Sequence, residues 1–128
     1  MKLLLDTHIW LWAIHDPRQL GKRLLRELRD QENELWLSPI STWEAFTLHM
    51  KHRVNLGHDL ADWLRRATAG TREAPLTHEI ALAARDLRLH QDPADRFLAA
   101  TALVLDLVLA TADLRLLGLG EIRTLANR

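Results

Sequence analysis

The sequence contains no cysteine among its 128 residues, and this absence excludes several classes of protein at once. Disulfide scaffolds, cysteine-ligated zinc sites, iron–sulfur clusters and thiol enzymes all need that residue. Long apolar runs are lacking too, because the longest, from Phe97 to Ala112, is divided by Asp106. Near the start, Asp6 follows only three leucines, too few for the core of a signal peptide. We therefore expect a cytoplasmic protein with no membrane partner.

The chain also lacks an excess of charge, with 17 basic and 17 acidic residues. A net charge of zero gives no bulk attraction to nucleic acid. The segment from Ala45 to His58 is nevertheless basic, since it holds Lys51, Arg53 and three histidines without an acid. Most basic helix faces are simply solvated. Lys51 and Arg53 are therefore secondary candidates for contacts with an anionic partner.

The length and composition describe one ordinary globular domain over residues 1–128. A chain of this size buries about two-thirds of its unfolded surface on folding, which is enough for an independent core. The content of 48% hydrophobic and 27% charged residues agrees with a folded protein. We find no linker-like tract, low-complexity segment or repeat that would divide the chain.

Short apolar runs alternate with amphipathic segments, which is the pattern of an α/β domain with a mostly parallel sheet. Strands are predicted at Lys2–Leu5, Glu34–Leu37, Ala74–Leu76, Leu107–Ala110 and Ile122–Leu125. Four helices are predicted at His8–Ile14, Leu20–Gln31, Ser41–His52 and His58–Ala69. A fifth follows a cap at Thr77, a sixth runs from Asp92-Pro93 to about Asp106, and a brief seventh ends at Leu117.

Four carboxylates stand where an open parallel sheet binds its ligands, beyond the carboxyl ends of strands. Asp6 follows the first predicted strand, and Asp113 follows the one at Leu107–Ala110. Glu44 and Asp95 each lie in the first turn of a predicted helix. These positions allow the four acids to meet in one pocket.

Each acid also has a purely structural explanation. Ser41 and Glu44 have the spacing of a capping box, while Asp92 and Asp95 suit the start of a helix that opens with proline. Asp6 and Asp113 have the place of caps or turn residues. Capping alone does not require acids after two buried strands as well as at two helix starts.

Convergence of four carboxylates would require a counter-ion, because adjacent like charges cannot all ionise cheaply. Oxygen ligands select a hard cation, and a few carboxylates with waters suit Mg²⁺ or Mn²⁺. Such an ion activates water and stabilises a leaving oxygen, which is the chemistry of phosphodiester hydrolysis.

Four blocks of the sequence together carry a family resemblance. They are Leu3-Leu4-Leu5-Asp6-Thr7-His8, Ser41-Thr42-Trp43-Glu44, Asp92 through Ala102, and Thr111-Ala112-Asp113. In order and spacing they resemble the PIN-domain family, and more narrowly the VapC-type toxins of type II toxin–antitoxin pairs. The resemblance covers nearly the whole chain.

The resemblance implies an α/β/α sandwich with a short, mostly parallel central sheet. It further implies an Mg²⁺- or Mn²⁺-dependent endoribonuclease that cleaves RNA, forms a homodimer and is held inactive by a cognate antitoxin protein. By position, Asp6, Glu44, Asp95 and Asp113 match the family's acidic quartet of catalytic and metal-ligating residues, and Thr111 matches its supporting hydroxyl. Asp92 is either a cap or a fifth site residue, and we favour the cap.

Other residues and readings complete the hypothesis. Arg96 could contact a substrate phosphate or orient the neighbouring Asp95 through a salt bridge. The main alternative is a catalytically inactive PIN-like binding module, although loss of activity would be expected to cost at least one acid. A phosphoreceiver domain is a third interpretation. We set it aside because this chain lacks the lysine that such domains carry after a late strand.

Overall fold

The computed structural model describes residues 1–89 and 92–128, and in this part of the chain five strands form one parallel sheet. The strands are β1 (Lys2–Leu5), β2 (Glu34–Leu37), β3 (Thr71–Glu73), β4 (Val108–Thr111) and β5 (Arg123–Ala126). The helices are α1 (Thr7–His15), α2 (Lys22–Arg29), α3 (Pro39–Met50), α4 (Leu60–Ala67), α5 (His78–Asp86), α6 (Pro93–Val104) and α7 (Leu114–Leu117). A 3₁₀ turn covers Pro17–Gln19. No helix among the described residues is long and apolar enough to cross a bilayer.

The strand order, β3-β2-β1-β4-β5, places the point of reversal between β1 and β4. The chain extends outward from β1 through β2 and β3, then returns to add β4 and β5 on the other side. Leu5 pairs with Ala110, and the Asp6 amide donates to the Ala110 carbonyl at 3.0 Å. The carboxyl ends of β1 and β4 therefore adjoin at the place where such sheets bind ligands.

Both faces of the sheet are covered, which gives the predicted α/β/α sandwich. Alternate side chains of a strand point to opposite faces, so β1 contributes to two separate cores. One core contains Leu3, Leu5, Trp10, Leu24 and Trp63, and the other contains Leu4, Ile80, Leu98, Leu109 and Leu116. Burial on both sides explains why β1 and β4 read as unbroken apolar runs.

The start of α3 differs from the prediction, and the difference changes the interpretation of Glu44. The helix begins at Pro39, and the Ser38 hydroxyl caps it by accepting from the Ile40 amide at 3.1 Å. Proline is well suited to the first helical position, where its missing amide is not needed. The capping box of Ser41 and Glu44 is therefore wrong, because Glu44 lies in the second turn.

Several other predicted boundaries also move by a few residues. Helix α1 begins one residue earlier, because Asp6 rather than Thr7 accepts from the first helical amide. The third strand lies at Thr71–Glu73 instead of Ala74–Leu76, and α2 and α4 are shorter than predicted. The strands at Lys2–Leu5 and Glu34–Leu37 and the caps at Thr77 and Asp92 are confirmed.

The last two residues pack over the start of α2. The Asn127 side chain accepts from the Gly21 amide at 2.8 Å, and the Arg128 carbonyl accepts from the Leu24 amide at 2.9 Å. Gly21 has no room for a side chain, because an added Cβ would lie 1.7 Å from the Arg128 carbonyl carbon. Glycine at this position therefore lets the last residue satisfy an orphan amide of α2.

Gly21→Ala is expected to lower the free energy of unfolding by about 1–3 kcal/mol, the usual cost of overpacking a tight contact. Gly120→Ala is the matched control, since a Cβ there meets nothing within 4 Å. Urea unfolding of both variants measures the difference. Equal midpoints for the two variants would contradict the close packing of the last residue on Gly21.

Candidate active site

Asp6 is a buried carboxylate at the end of β1 with both oxygens bonded. Its Oδ1 accepts from the Thr7 amide at 2.7 Å, and its Oδ2 accepts from the Thr111 hydroxyl at 2.6 Å. Burial raises the pKa of Asp6 even though these two bonds and nearby His8 act to lower it, and Asp113 adds to the rise. The residue thus caps α1 and also belongs to a group of acids.

Thr7 connects α1 to α3 and fixes the position of Glu44. Its hydroxyl donates to Oε1 of Glu44 and lies 3.0 Å from the buried Ser41 hydroxyl. In the sequence, Thr7 precedes the predicted helix at His8–Ile14, where a threonine can cap, and Ser41 belongs to a predicted capping box, so their place beside an acid was missed. The available signal was that Thr7 directly follows Asp6 at the ligand-binding edge of the sheet.

Glu44 is coupled electrostatically to three acids from two other parts of the chain. Partial burial is the main cause that raises the pKa of Glu44, and the Thr7 hydrogen bond opposes it. The negative charges of Asp6, Asp95 and Asp92 raise it further. The second turn of α3 therefore faces the end of β1 and the start of α6.

Asp95 lies at the third position of α6, three residues after the cap Asp92. The Asp92 carboxylate accepts from the Ala94 and Asp95 amides at 3.0 and 3.3 Å, which is the capping role predicted for it. Asp95 itself is mostly enclosed, and its Oδ2 lies 3.8 Å from Nη2 of Arg115. The cap is therefore filled by Asp92, and Asp95 faces other charged groups.

Asp113 caps the short helix α7 and forms an ion pair with Arg115. Its Oδ1 accepts from the Arg115 amide at 2.8 Å, and its Oδ2 lies 3.1 Å from the guanidinium Nη2. The hydrogen bonds from Arg115 hold the pKa of Asp113 below its ordinary value. The Asp113 amide donates to the Thr111 hydroxyl at 3.0 Å, so Thr111 links Asp113 to Asp6.

The structure thus places all four predicted acids at one edge of the sheet as a coupled cluster. In residues 1–89 and 92–128, no three acidic or histidine side chains are already arranged as a metal-ligand group. The donor set nevertheless fits a hard cation, because it consists of carboxylate oxygens. Burial is the main cause that raises the pKa values of Asp6 and Glu44, so the ionised form of each is disfavoured without a nearby cation.

Arg96 does not point at this cluster in the way the sequence suggested. Its guanidinium donates to the carbonyls of Leu89, Arg85 and Leu87 at 2.8, 3.0 and 3.3 Å. These bonds attach the start of α6 to the end of α5 and satisfy carbonyls that a helix leaves open. The described contacts support a structural role and do not support the predicted phosphate contact.

Lys51 and Arg53 lie beyond the end of α3, and in the described part of the chain neither bonds to the acids. Arg53 lines a groove of about 430 Å³ together with His8, Trp12 and Asn55. His8 is close enough to lower the pKa of Asp6, so this groove opens beside the acidic cluster. Lys51 is exposed and lies outside the groove lining.

Glu44→Gln and Asp113→Asn are expected to change the melting temperature of metal-free protein in opposite directions at pH 7. A raised folded pKa means that ionised Glu44 destabilises the fold above its unfolded pKa, so the amide should raise the melting temperature by roughly 1–3 °C, a modest effect because solvent screens a half-buried group. Asp113 has a lowered pKa, contributes stability above its unfolded value, and should lose about 1–2 °C as an amide.

The pH dependence provides the control for this pair. Acidification protonates the parent's Glu44 first and its Asp113 last, so the advantage of Glu44→Gln should disappear at a higher pH than the deficit of Asp113→Asn. Thermal melts in EDTA from pH 7 to about pH 2.5, well below the ordinary aspartate pKa, measure both. A lower melting temperature for Glu44→Gln at pH 7 would mean that this carboxylate stabilises the fold.

Comparison with known proteins gives one consistent family. The sequence model of the PIN domain family matches residues 3–121 of this chain. The Mycobacterium tuberculosis protein Ribonuclease VapC22 is 30% identical over 116 residues, which cover 89% of this chain and 88% of that protein. This relative supports the comparison at the level of sequence, independently of the fold.

Solved structures extend the comparison to the fold. VapBC from Salmonella typhimurium, crystallised with DNA, matches with a TM-score of 0.75 at 16% identity, over 100% of this chain and 99% of that one. VapBC2 from Rickettsia felis, bound to a promoter DNA fragment, matches with a TM-score of 0.74 at 16% identity, over 98% of both chains. A toxin-antitoxin complex from Klebsiella pneumoniae matches with a TM-score of 0.71 at 19% identity, again over 98% of each chain.

Proposed function

The chain belongs to the PIN domain family, and on that premise we propose that it is an endoribonuclease acting as the toxin of a toxin–antitoxin pair. The observation that carries the proposal is the coupled group of acids where strand order reverses. Its members are Asp6, Glu44, Asp95 and Asp113. The relative named Ribonuclease VapC22 supports RNA as the substrate. We also propose that residues 1–128 form a single nuclease domain.

We further propose that this cluster holds Mg²⁺ or Mn²⁺ during cleavage. Asp6, Glu44 and Asp95 would provide the inner oxygens, with Asp113 at the margin because Arg115 already binds it. Bound there, the ion would activate a water and offset the phosphate charge. The chemistry of the donors supports this proposal, as do the raised pKa values of Asp6 and Glu44, whose ionised forms a bound cation would stabilise.

The hydroxyl groups of two threonines have a positioning role in this proposal. Thr111 donates to one oxygen of Asp6 and accepts from the Asp113 amide, so it fixes the two acids relative to each other. Thr7 holds one oxygen of Glu44 and leaves the other for the site.

We propose the groove beside His8 as the path of the RNA strand. Trp12 and His8, whose rings lie 5.7 Å apart, offer faces on which bases can stack. Arg53 lines the same groove and is available for a phosphate. The predicted contact of Lys51 with RNA stays a prediction without structural support, because that residue lies outside the groove.

The proposed partners are a cognate antitoxin protein and a second copy of the chain. The antitoxin follows from the toxin-antitoxin complexes among the structural relatives. Trp43 and Met50 are exposed and lie seven residues apart on α3, and Leu103 is exposed on the adjacent helix α6. These apolar side chains support a homodimer interface. A cytoplasmic location follows from the substrate.

RNA cleavage by purified, antitoxin-free protein tests the proposed function directly. End-labelled single-stranded and structured RNAs incubated with Mg²⁺ or Mn²⁺ should yield discrete fragments. An Asp95→Asn preparation purified in parallel controls for contaminating nucleases. RNA that is bound and left intact would favour the inactive binding module instead, against which the complete set of four acids argues.

A further inference from the structure

Arg115 places a guanidinium between the acidic cluster and solvent. Its Nη2 lies 3.1 Å from Oδ2 of Asp113 and 3.8 Å from Oδ2 of Asp95, and its Nε lies 3.3 Å from Oδ1 of Asp113. The Arg115 side chain is 61% exposed, whereas those of Asp95 and Asp113 are only 13% and 24% exposed. An anion that approaches these two acids from solvent therefore meets this cation.

The orientation of Arg115 is fixed while part of its donor capacity remains open. Asp113 binds Nε and Nη2, which holds the planar guanidinium from one side. A guanidinium carries five N–H donors in a fork that matches phosphate oxygens. Within the described residues Nη1 makes no hydrogen bond, so donors remain for a ligand.

The negative charge of the cluster distinguishes this guanidinium from one in an ordinary surface ion pair. A phosphodiester carries one negative charge, and four carboxylates at the same edge of the sheet repel it. A fixed arginine at the margin reduces that repulsion and offers two-point recognition of phosphate. Arg96, the arginine considered for a phosphate contact from sequence, has its guanidinium on main-chain carbonyls instead.

We propose that Arg115 binds a phosphate of the RNA next to the cleaved bond, and that Asp113 is the positioning residue that orients it. The inference rests on the proposed function, because it assigns a substrate contact at the same site. Asp113 has both oxygens bonded to Arg115, so holding this guanidinium is part of its role.

The test measures binding of a fluorescent single-stranded RNA oligonucleotide by anisotropy in EDTA, where the proposed nuclease does not cut. Arg115→Met should weaken binding about tenfold and reduce the slope of log K against log salt by about 0.7, the value for one phosphate contact on a single strand. Arg115→Lys keeps the charge and should retain the slope while losing part of the affinity.

Arg123→Met is the matched control. Arg123 also forms an ion pair with an aspartate, Asp106, at 2.8 Å, and its side chain is 62% exposed. It lies at the start of β5, on the opposite edge of the sheet, so its loss removes the same charge away from the acids. Affinity and salt slope should stay at parental values, and thermal melts confirm that each variant folds.

The outcomes separate this inference from the proposed function. Parental affinity and slope in Arg115→Met, with a parent that binds and cuts RNA, would overturn the role of Arg115 alone. Equal losses in Arg115→Met and Arg123→Met would also overturn it, because they would indicate only general electrostatic attraction. A parent that neither binds nor cuts RNA would overturn both proposals.

Discussion

Asp95→Asn is expected to lower the rate of RNA cleavage by about a thousandfold, equivalent to about 4 kcal/mol of transition-state stabilisation. The carboxylate is mostly enclosed, adds to the charge that raises the pKa of Glu44, and lies beside Arg115. The amide keeps the volume and removes the charge that the proposed cation needs. Single-turnover rates with saturating protein measure the loss, and a melting temperature within about 2 °C of the parent shows that the fold is retained.

Asp92→Asn is the control for that substitution, because it makes the same chemical change three residues earlier. Asp92 accepts from two amides at the start of α6, and asparagine caps helices about as well as aspartate. This variant should keep its cleavage rate within about threefold of the parent. Equal losses at the two positions would make Asp92 a site residue and contradict the assignment of capping to Asp92 alone.

The strands and the edge of the sheet that carries the acids were predictable from sequence for a clear physical reason. Strands buried on both faces read as continuous apolar runs, and β1 and β2 have the predicted bounds. Asp6 and Asp113 follow two such runs, and parallel pairing of β1 with β4 brings their carboxyl ends together. The local pattern and the topology rule were sufficient here.

The start of α3 shows how two valid local signals can compete. Ser38-Pro39 and the spacing from Ser41 to Glu44 both describe a helix start, and only one can be used. The structure uses Ser38-Pro39, which starts the helix two residues earlier than predicted and moves Glu44 to the second turn. Both signals are local, and the sequence pattern alone does not rank one above the other.

The contacts that complete the site could not be predicted, because they join distant segments. Thr7 reaches Glu44 across 37 positions, and no local pattern gives the register between α1 and α3. Arg96 was considered for a phosphate contact or a salt bridge because it is adjacent to Asp95 in sequence. Adjacent helical residues point about 100° apart, and the Arg96 side chain turns toward the end of α5. Arg115 lies two residues beyond Asp113 and does reach Asp95.

The structural and functional explanations of these acids prove compatible at Asp6. This carboxylate accepts from the first amide of α1 and from Thr111, yet burial still raises its pKa. Two hydrogen bonds therefore do not offset the cost of enclosing its charge beside other acids. A residue that serves only as a cap is normally exposed, as Asp92 is.

Metal removal tests most directly the central claim that these four acids form one cation site for RNA cleavage. Excess EDTA should reduce cleavage by the purified parent at least a hundredfold, because it removes the cation that the four carboxylates would hold and that would activate water. Adding back Mg²⁺ or Mn²⁺ in excess over EDTA should restore the parental rate, while the same additions should leave Asp95→Asn inactive. Cleavage that continues undiminished in excess EDTA, or that Asp95→Asn retains at the parental rate, would contradict the account.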